Sequence, residues 1–157
     1  MLNNNLGKPL IFAAMKIPGL SETLINLPTE GKVKQAVNGF LYLDIDDRYI
    51  HEIFPLLKQS NLQKPDYFSM ETNFIGAHIS IIYPDELIEV KTDLIGKQYA
   101  FTINGLFFTE ILNTRYFALK VQAPGLLAVR AQYALPEQLK IYGYHIDFHI
   151  TIAKQLF

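Results

Sequence analysis

Residues 144–153 read Tyr-His-Ile-Asp-Phe-His-Ile-Thr-Ile-Ala, with a large apolar side chain at every second position up to Ile152. A strand turns successive side chains to opposite faces, so a period of two over this length fits a half-buried strand and excludes a helix. One face is Tyr144, Ile146, Phe148, Ile150 and Ile152. The other is His145, Asp147, His149, Thr151 and Ala153. A solvent face usually carries lysine, glutamate and threonine. This one collects two of the chain's four histidines together with a carboxylate and a hydroxyl. The same phrase occurs earlier as His78-Ile79-Ser80-Ile81. There Ala77, Ile79, Ile81 and Tyr83 share one face, while Gly76, His78 and Ser80 share the other. In both strands a histidine and a hydroxyl are next-but-one neighbours, roughly 6–7 Å apart. A lone His-x-Thr is a weak signal, but two copies on apolar strands carry weight.

The rest of the chain places these strands in an α+β domain. Pro9–Met15 is apolar and reads as a strand; Lys16–Asn38 reads as loop, with one helical turn capped by Ser21. Phe40–Ile45 alternates as a strand. Asp46 or Asp47 then caps a helix of roughly four turns carrying Ile50, Ile53, Phe54 and Leu57, which ends near Asn61. Residues 62–68 read as a connection and about 73–83 as the first histidine strand, closed by Pro84-Asp85-Glu86. Tyr99–Glu110 reads as a hairpin turning at Asn104-Gly105, the pair that type I′ turns favour. Arg115–Gln122 is a strand, and Pro124 opens a helix through Leu127, Val129 or Arg130, and Tyr133. The last strand runs unbroken from Tyr144 to Ala153. The expected architecture is mostly antiparallel sheet with helices packed outside it.

Composition bounds the function. The chain has 157 residues, half of them hydrophobic, enough for one domain of two lobes without staples. It has no cysteine, which excludes thiolate catalysis and zinc–thiolate sites and is compatible with a reducing cytoplasm. Net charge is −1 with the basic residues scattered, unlike a duplex-DNA binder. The apolar run near the N-terminus is broken by Lys16 and Pro18, too short for a membrane span, so no membrane association is expected. His145 and His149 would be about 13 Å apart on an extended strand, too far to share one metal ion. That argues against a metal site on this strand. No metal, no cofactor and a monomer are the expectations.

His78-Ile79-Ser80-Ile81 and His149-Ile150-Thr151-Ile152 resemble the paired His-x-Ser/Thr-x motifs of the 2H phosphoesterase superfamily, which includes RNA 2′,3′-cyclic phosphodiesterases and RNA ligase-like proteins. The resemblance covers about residues 38–157. It implies two similar lobes, each giving one motif to a central groove. Residues 1–37 depart from the family pattern, an extension with an extra strand that the family core does not need. The family often continues past its second motif, and Pro9–Met15 is expected to fill the sheet position that such residues fill elsewhere. The resemblance also implies a phosphodiesterase or cyclic-phosphate hydrolase acting on a nucleotide or a short single-stranded RNA end. His78 would be the general acid and His149 the general base, roles that exchange in reverse. Ser80 and Thr151 would donate hydrogen bonds to the phosphate oxygens. A binding module that keeps the groove without turnover is the alternative. Tyr83, Phe107, Tyr116 and Tyr142 are candidates to stack a base, and Arg115 and Lys154 to meet phosphate. His145 is a candidate rim contact. Asp147 either orients His149 or lies solvated. His51 falls on the surface of the first long helix.

Overall fold

Alternating strands need partners, and the computed structural model, which describes residues 11–66, 75–86, 89 and 92–156, shows how they are found. In chain order the elements are β1 (Ala13–Met15), α1 (Leu20–Ile25), β2 (Glu30–Gln35), β3 (Leu41–Asp44), α2 (Arg48–Ile53), β4 (Leu62–Gln63) and β5 (His78–Ile82). There follow β6 (Gln98–Ala100), β7 (Thr102–Ile111), β8 (Thr114–Gln122), α3 (Pro124–Gln132), β9 (Leu139–Ile141), β10 (Tyr144–Ile146) and β11 (His149–Leu156). The strands make a four-stranded sheet ordered β5-β3-β2-β6, a five-stranded sheet ordered β1-β7-β8-β11-β4, and the small hairpin β9–β10. Every pairing is antiparallel. The α+β expectation is met.

The two histidine phrases lie in different sheets, His78 on β5 and His149 on β11, and those strands approach one another. Helix α2 lies against β11, and α3 lies against β5 and β6. Each helix therefore covers the sheet that its own preceding strand does not belong to. One apolar cluster joins the two lobes, including Leu43, Ile79, Leu119 and Ile150, all fully buried. Burying a side chain of this kind contributes about 1.5–3 kcal/mol. Among the described residues no helix is long and apolar enough to cross a membrane.

Several expectations are corrected. The loop reading of 16–38 misses β2, whose only fully buried side chain is Val33; a strand that is polar on most positions leaves little periodicity to read. Helix α2 stops after six residues and a 3-10 turn at Phe54–Leu56 follows, because Pro55 cannot donate to the ladder. Asn104-Gly105 is not a turn. It lies inside β7, where the register against β8 slips by one residue and Gly105 takes φ 104°. The hairpin turn is Leu112-Asn113, between β7 and β8. The last strand is broken at Asp147-Phe148 into β10 and β11, and β4 occupies part of the stretch read as a connection. Of Pro9–Met15, only Ala13–Met15 is a described strand; it forms the edge beside β7, where Thr109 donates to the Ile11 carbonyl at 2.8 Å. Residues 9 and 10, like 73 and 74, lie outside the described residues.

Arg130 is the least expected member of the interior, with no exposed surface. Its guanidinium pairs with Glu86 at 2.8 Å and donates to the carbonyls of Ile81, Pro136 and Gln138. Glu86 also accepts from the backbone N–H groups of Tyr83 and Lys140. A buried ion pair is tolerated only when satisfied in this way. This one ties α3, the end of β5 and the β9–β10 hairpin together.

Candidate active site

The repeated phrase builds the same local structure twice. In each copy the imidazole Nδ1 donates to the backbone carbonyl two residues earlier: His78 to Gly76 at 2.9 Å, His149 to Asp147 at 2.9 Å. A carbonyl oxygen only accepts, so Nδ1 carries the proton and Nε2 becomes the nitrogen that exchanges protons. In each copy the strand then bulges. Ser80 opposes Tyr42 and Ile82 opposes Leu41, leaving Ile81 as the extra residue. Thr151 opposes Ala118 and Ala153 opposes Phe117, leaving Ile152 as the extra residue. The fourth letter of each phrase is thus a bulge. The alternation shifts by one behind it, which brings Tyr83 and Lys154 to the face of the preceding histidine. Strict alternation puts Tyr83 on the core face and Ala153 on the functional face. The bulges reverse both, and Ala153 is fully buried.

His78, Ser80, Tyr83, Tyr116, Tyr142, His149, Thr151 and Lys154 line one cleft of about 290 Å³. Lys154 is ion-paired there with Asp66. Apolar residues form the rest of the wall, Phe40 and Ile146 among them. Phe40 stacks on Tyr83 at 5.6 Å and on Tyr42 at 5.3 Å. The His78 ring meets Phe40 and Tyr42 edge-on, each at 5.6 Å. His78 is only 7% exposed. Burial in this aromatic surround lowers its pKa to about 4; the bond to Gly76 opposes the shift, the nearby His149 adds to it, and Asp44 opposes it. Burial lowers His149 as well, against the backbone bond and the charge of Asp147. Tyr83 is raised by burial, with a hydrogen bond from Ser80 pulling the other way.

Other candidates fall elsewhere. Arg115 lies outside the cleft, paired with Glu110 at 2.6 Å and with its guanidinium over Phe108, because alternation on β8 sends it away from Tyr116. His145 sits on β10 opposite Lys140, removed from the cleft by the strand break. Phe107 lines a smaller notch beside His149. His51 is exposed on α2. Asp147 does orient His149, but through its backbone carbonyl; its carboxylate accepts from Gln138 and lies 3.5 Å from Lys120. Sequence reasoning missed Phe40 and Tyr42, whose ordinary strand context carries no signal of a histidine cage. It also missed Asp47, whose carboxylate accepts from Ala77 N–H at 2.9 Å and so fixes the entry to β5.

A family profile described as the Swiss Army Knife 2H phosphoesterase domain matches residues 41–156. The chain belongs to the 2H phosphoesterase superfamily. The match spans both histidine phrases and takes in strands of both sheets, leaving out β1 and β2, and supports phosphodiesterase-type chemistry in general. No curated protein and no solved structure gives a significant match. Among the described residues of the 2H domain, no group of three or more histidine or carboxylate side chains could hold a metal ion.

Proposed function

We propose that this 2H phosphoesterase hydrolyses a 2′,3′-cyclic phosphate or a 2′-5′ linkage at a nucleotide or RNA end, by acid–base catalysis between His78 and His149 without a metal. The observation that carries this reading is the duplicated geometry: two imidazoles, each tethered at Nδ1 by a backbone carbonyl, lining one cleft with a hydroxyl beside each. In the forward direction one Nε2 takes a proton from the attacking water. The other imidazolium gives its proton to the ribose oxygen as the phosphorus–oxygen bond breaks, and a phosphate monoester results. Ser80 and Thr151 donate to the non-bridging oxygens, where charge grows. The phosphate charge favours imidazolium, and so offsets the burial that otherwise keeps His78 neutral. The absence of cysteine fits a reducing compartment such as the cytoplasm.

Burial of both imidazoles also favours a second reading, a neutral pocket that binds a phosphorylated end without turnover. The discriminating experiment is hydrolysis of nucleoside 2′,3′-cyclic phosphates with excess chelator. Turnover that persists, and is lost on replacing either histidine, supports the enzyme. Tight binding with no turnover supports the binding module. Turnover abolished by the chelator and restored by one divalent metal overturns the metal-free mechanism.

A further inference from the structure

The two histidines have opposite neighbours across their strands. His78 pairs with Asp44 on β3, whereas His149 pairs with Lys120 on β8. Directly opposed residues in an antiparallel pair point to the same face, with Cβ atoms about 5 Å apart. An ammonium side chain therefore shares the face of His149, and a carboxylate shares the face of His78. Asp44 is held by Lys34 at 2.8 Å. Lys120 makes an exposed approach to Asp147, at 3.5 Å and beyond good hydrogen-bond length, which a stronger anion can displace.

The cleft also continues past His149 on that side. A notch of about 50 Å³ shares Phe12, Ala118 and His149 with the main cleft and adds Lys120. An open groove of about 370 Å³ shares Lys120, Asp147 and Phe148 with the notch. Nothing in the proposed opening of a mononucleotide cyclic phosphate uses this track. We propose that Lys120 binds a second phosphate, one nucleotide along from the reacting one, and that the preferred substrate is an oligonucleotide end and not a mononucleotide. The inference rests on the phosphodiesterase reading for which phosphate reacts, and goes beyond it in naming the substrate class. Among the described residues that line the track, Lys120 is the one cation, with Asp147 beside it. The outer groove adds Glu137 with apolar Pro124 and Leu127, so the benefit stops after one extra nucleotide.

The test uses the full chain and two ligand pairs. Affinity is measured by calorimetry for a nucleoside 3′-phosphate and for a dinucleotide with the same terminal 3′-phosphate. Turnover is measured for the matching 2′,3′-cyclic phosphates. The dinucleotide is expected to bind on the order of three- to tenfold more tightly at low salt, the range of one charge-assisted contact. Its logarithmic salt slope should be steeper by about 0.7, as one neutralised phosphate on a single strand requires. A third nucleotide should add little. Lys120→Ala should remove the preference and the extra slope, and Lys120→Arg should retain both. Equal affinities in the parent, or a preference that survives Lys120→Ala, overturns the subsite. The parent's salt slope decides the matter even if the alanine variant does not fold. Failure of turnover with the affinity preference intact overturns the phosphodiesterase reading and leaves the subsite standing.

Discussion

Gly76 and Asp147 each lend a backbone carbonyl to an imidazole two residues on, so the proposed proton transfer falls to Nε2 in both histidines. Replacing His78 or His149 with alanine should lower the rate of cyclic-phosphate hydrolysis by roughly 10²–10⁴, the usual loss of a proton-transfer partner. Ser80→Ala or Thr151→Ala removes one charge-assisted hydrogen bond, about 10–150-fold, and should raise KM more than the histidine changes do. His51→Ala and His145→Ala, both outside the cleft, should stay near the parent; steady-state kinetics on the six variants checks the set. Because burial lowers both imidazoles, the acid loses its proton at lower pH than a free histidine would. The bell-shaped profile of kcat/KM should therefore peak below pH 6.5, the ordinary histidine value. An optimum above that value would show that the free protein holds its acid protonated despite burial. Gly76 belongs to this machinery through its carbonyl. It sits at φ 81°, and a Cβ there would come within 2.5 Å of the Asp47 carboxylate. Gly76→Ala should thus cost on the order of 1–3 kcal/mol in stability and misplace the His78 ring. Denaturant melts together with kinetics would register both effects.

At the scale of elements, the bulges and the edge strand do what strand periodicity alone could not. Each bulge lets a histidine, a hydroxyl and a residue three positions further on share one face, where strict alternation would bury the third. Edge strand β1 covers part of β7, with Phe12 meeting Phe107 edge-on at 6.2 Å. Removing residues 1–17 should leave the β7 edge unpaired, lower the melting temperature and promote self-association. Thermal melts and light scattering check this, and a truncated chain that melts like the parent would show β1 to be dispensable. Helix α2 teaches a different lesson. Ile50, Ile53, Phe54 and Leu57 keep helical spacing past the end of the helix, because the 3-10 turn that contains Pro55 preserves an apolar face while breaking the hydrogen-bond ladder.

For the whole molecule, the site works against stability in acid. A histidine whose folded pKa is below its unfolded value binds protons more readily when unfolded. The stability it contributes is therefore full above about pH 6.5 and is lost as pH falls toward the folded value, about 4 for His78. Between pH 7 and pH 5 the loss from His78 is about 2 kcal/mol, and His149 acts in the same direction. Urea unfolding at the two pH values measures it, and His78→Gln, which cannot take up the proton, should flatten the dependence.

The alternation around His78 and His149 was enough to put a histidine–hydroxyl pair on the face turned from the core in two strands, because a period of two is a local property of the backbone. The sequence also determined the α+β class, since the helical and strand periodicities are separate along the chain. Which sheet each phrase joins, how the two strands come together and where the alternation slips depend on long-range pairing. A bulge is set by the partner strand's register, which no local pattern records: Ile81 and Ile152 look like any other core isoleucine until Leu41 and Phe117 stand opposite their neighbours. The same reason hid Lys120, one basic residue among several in the sequence. Its place beside His149 exists only because β8 pairs with β11 in that register.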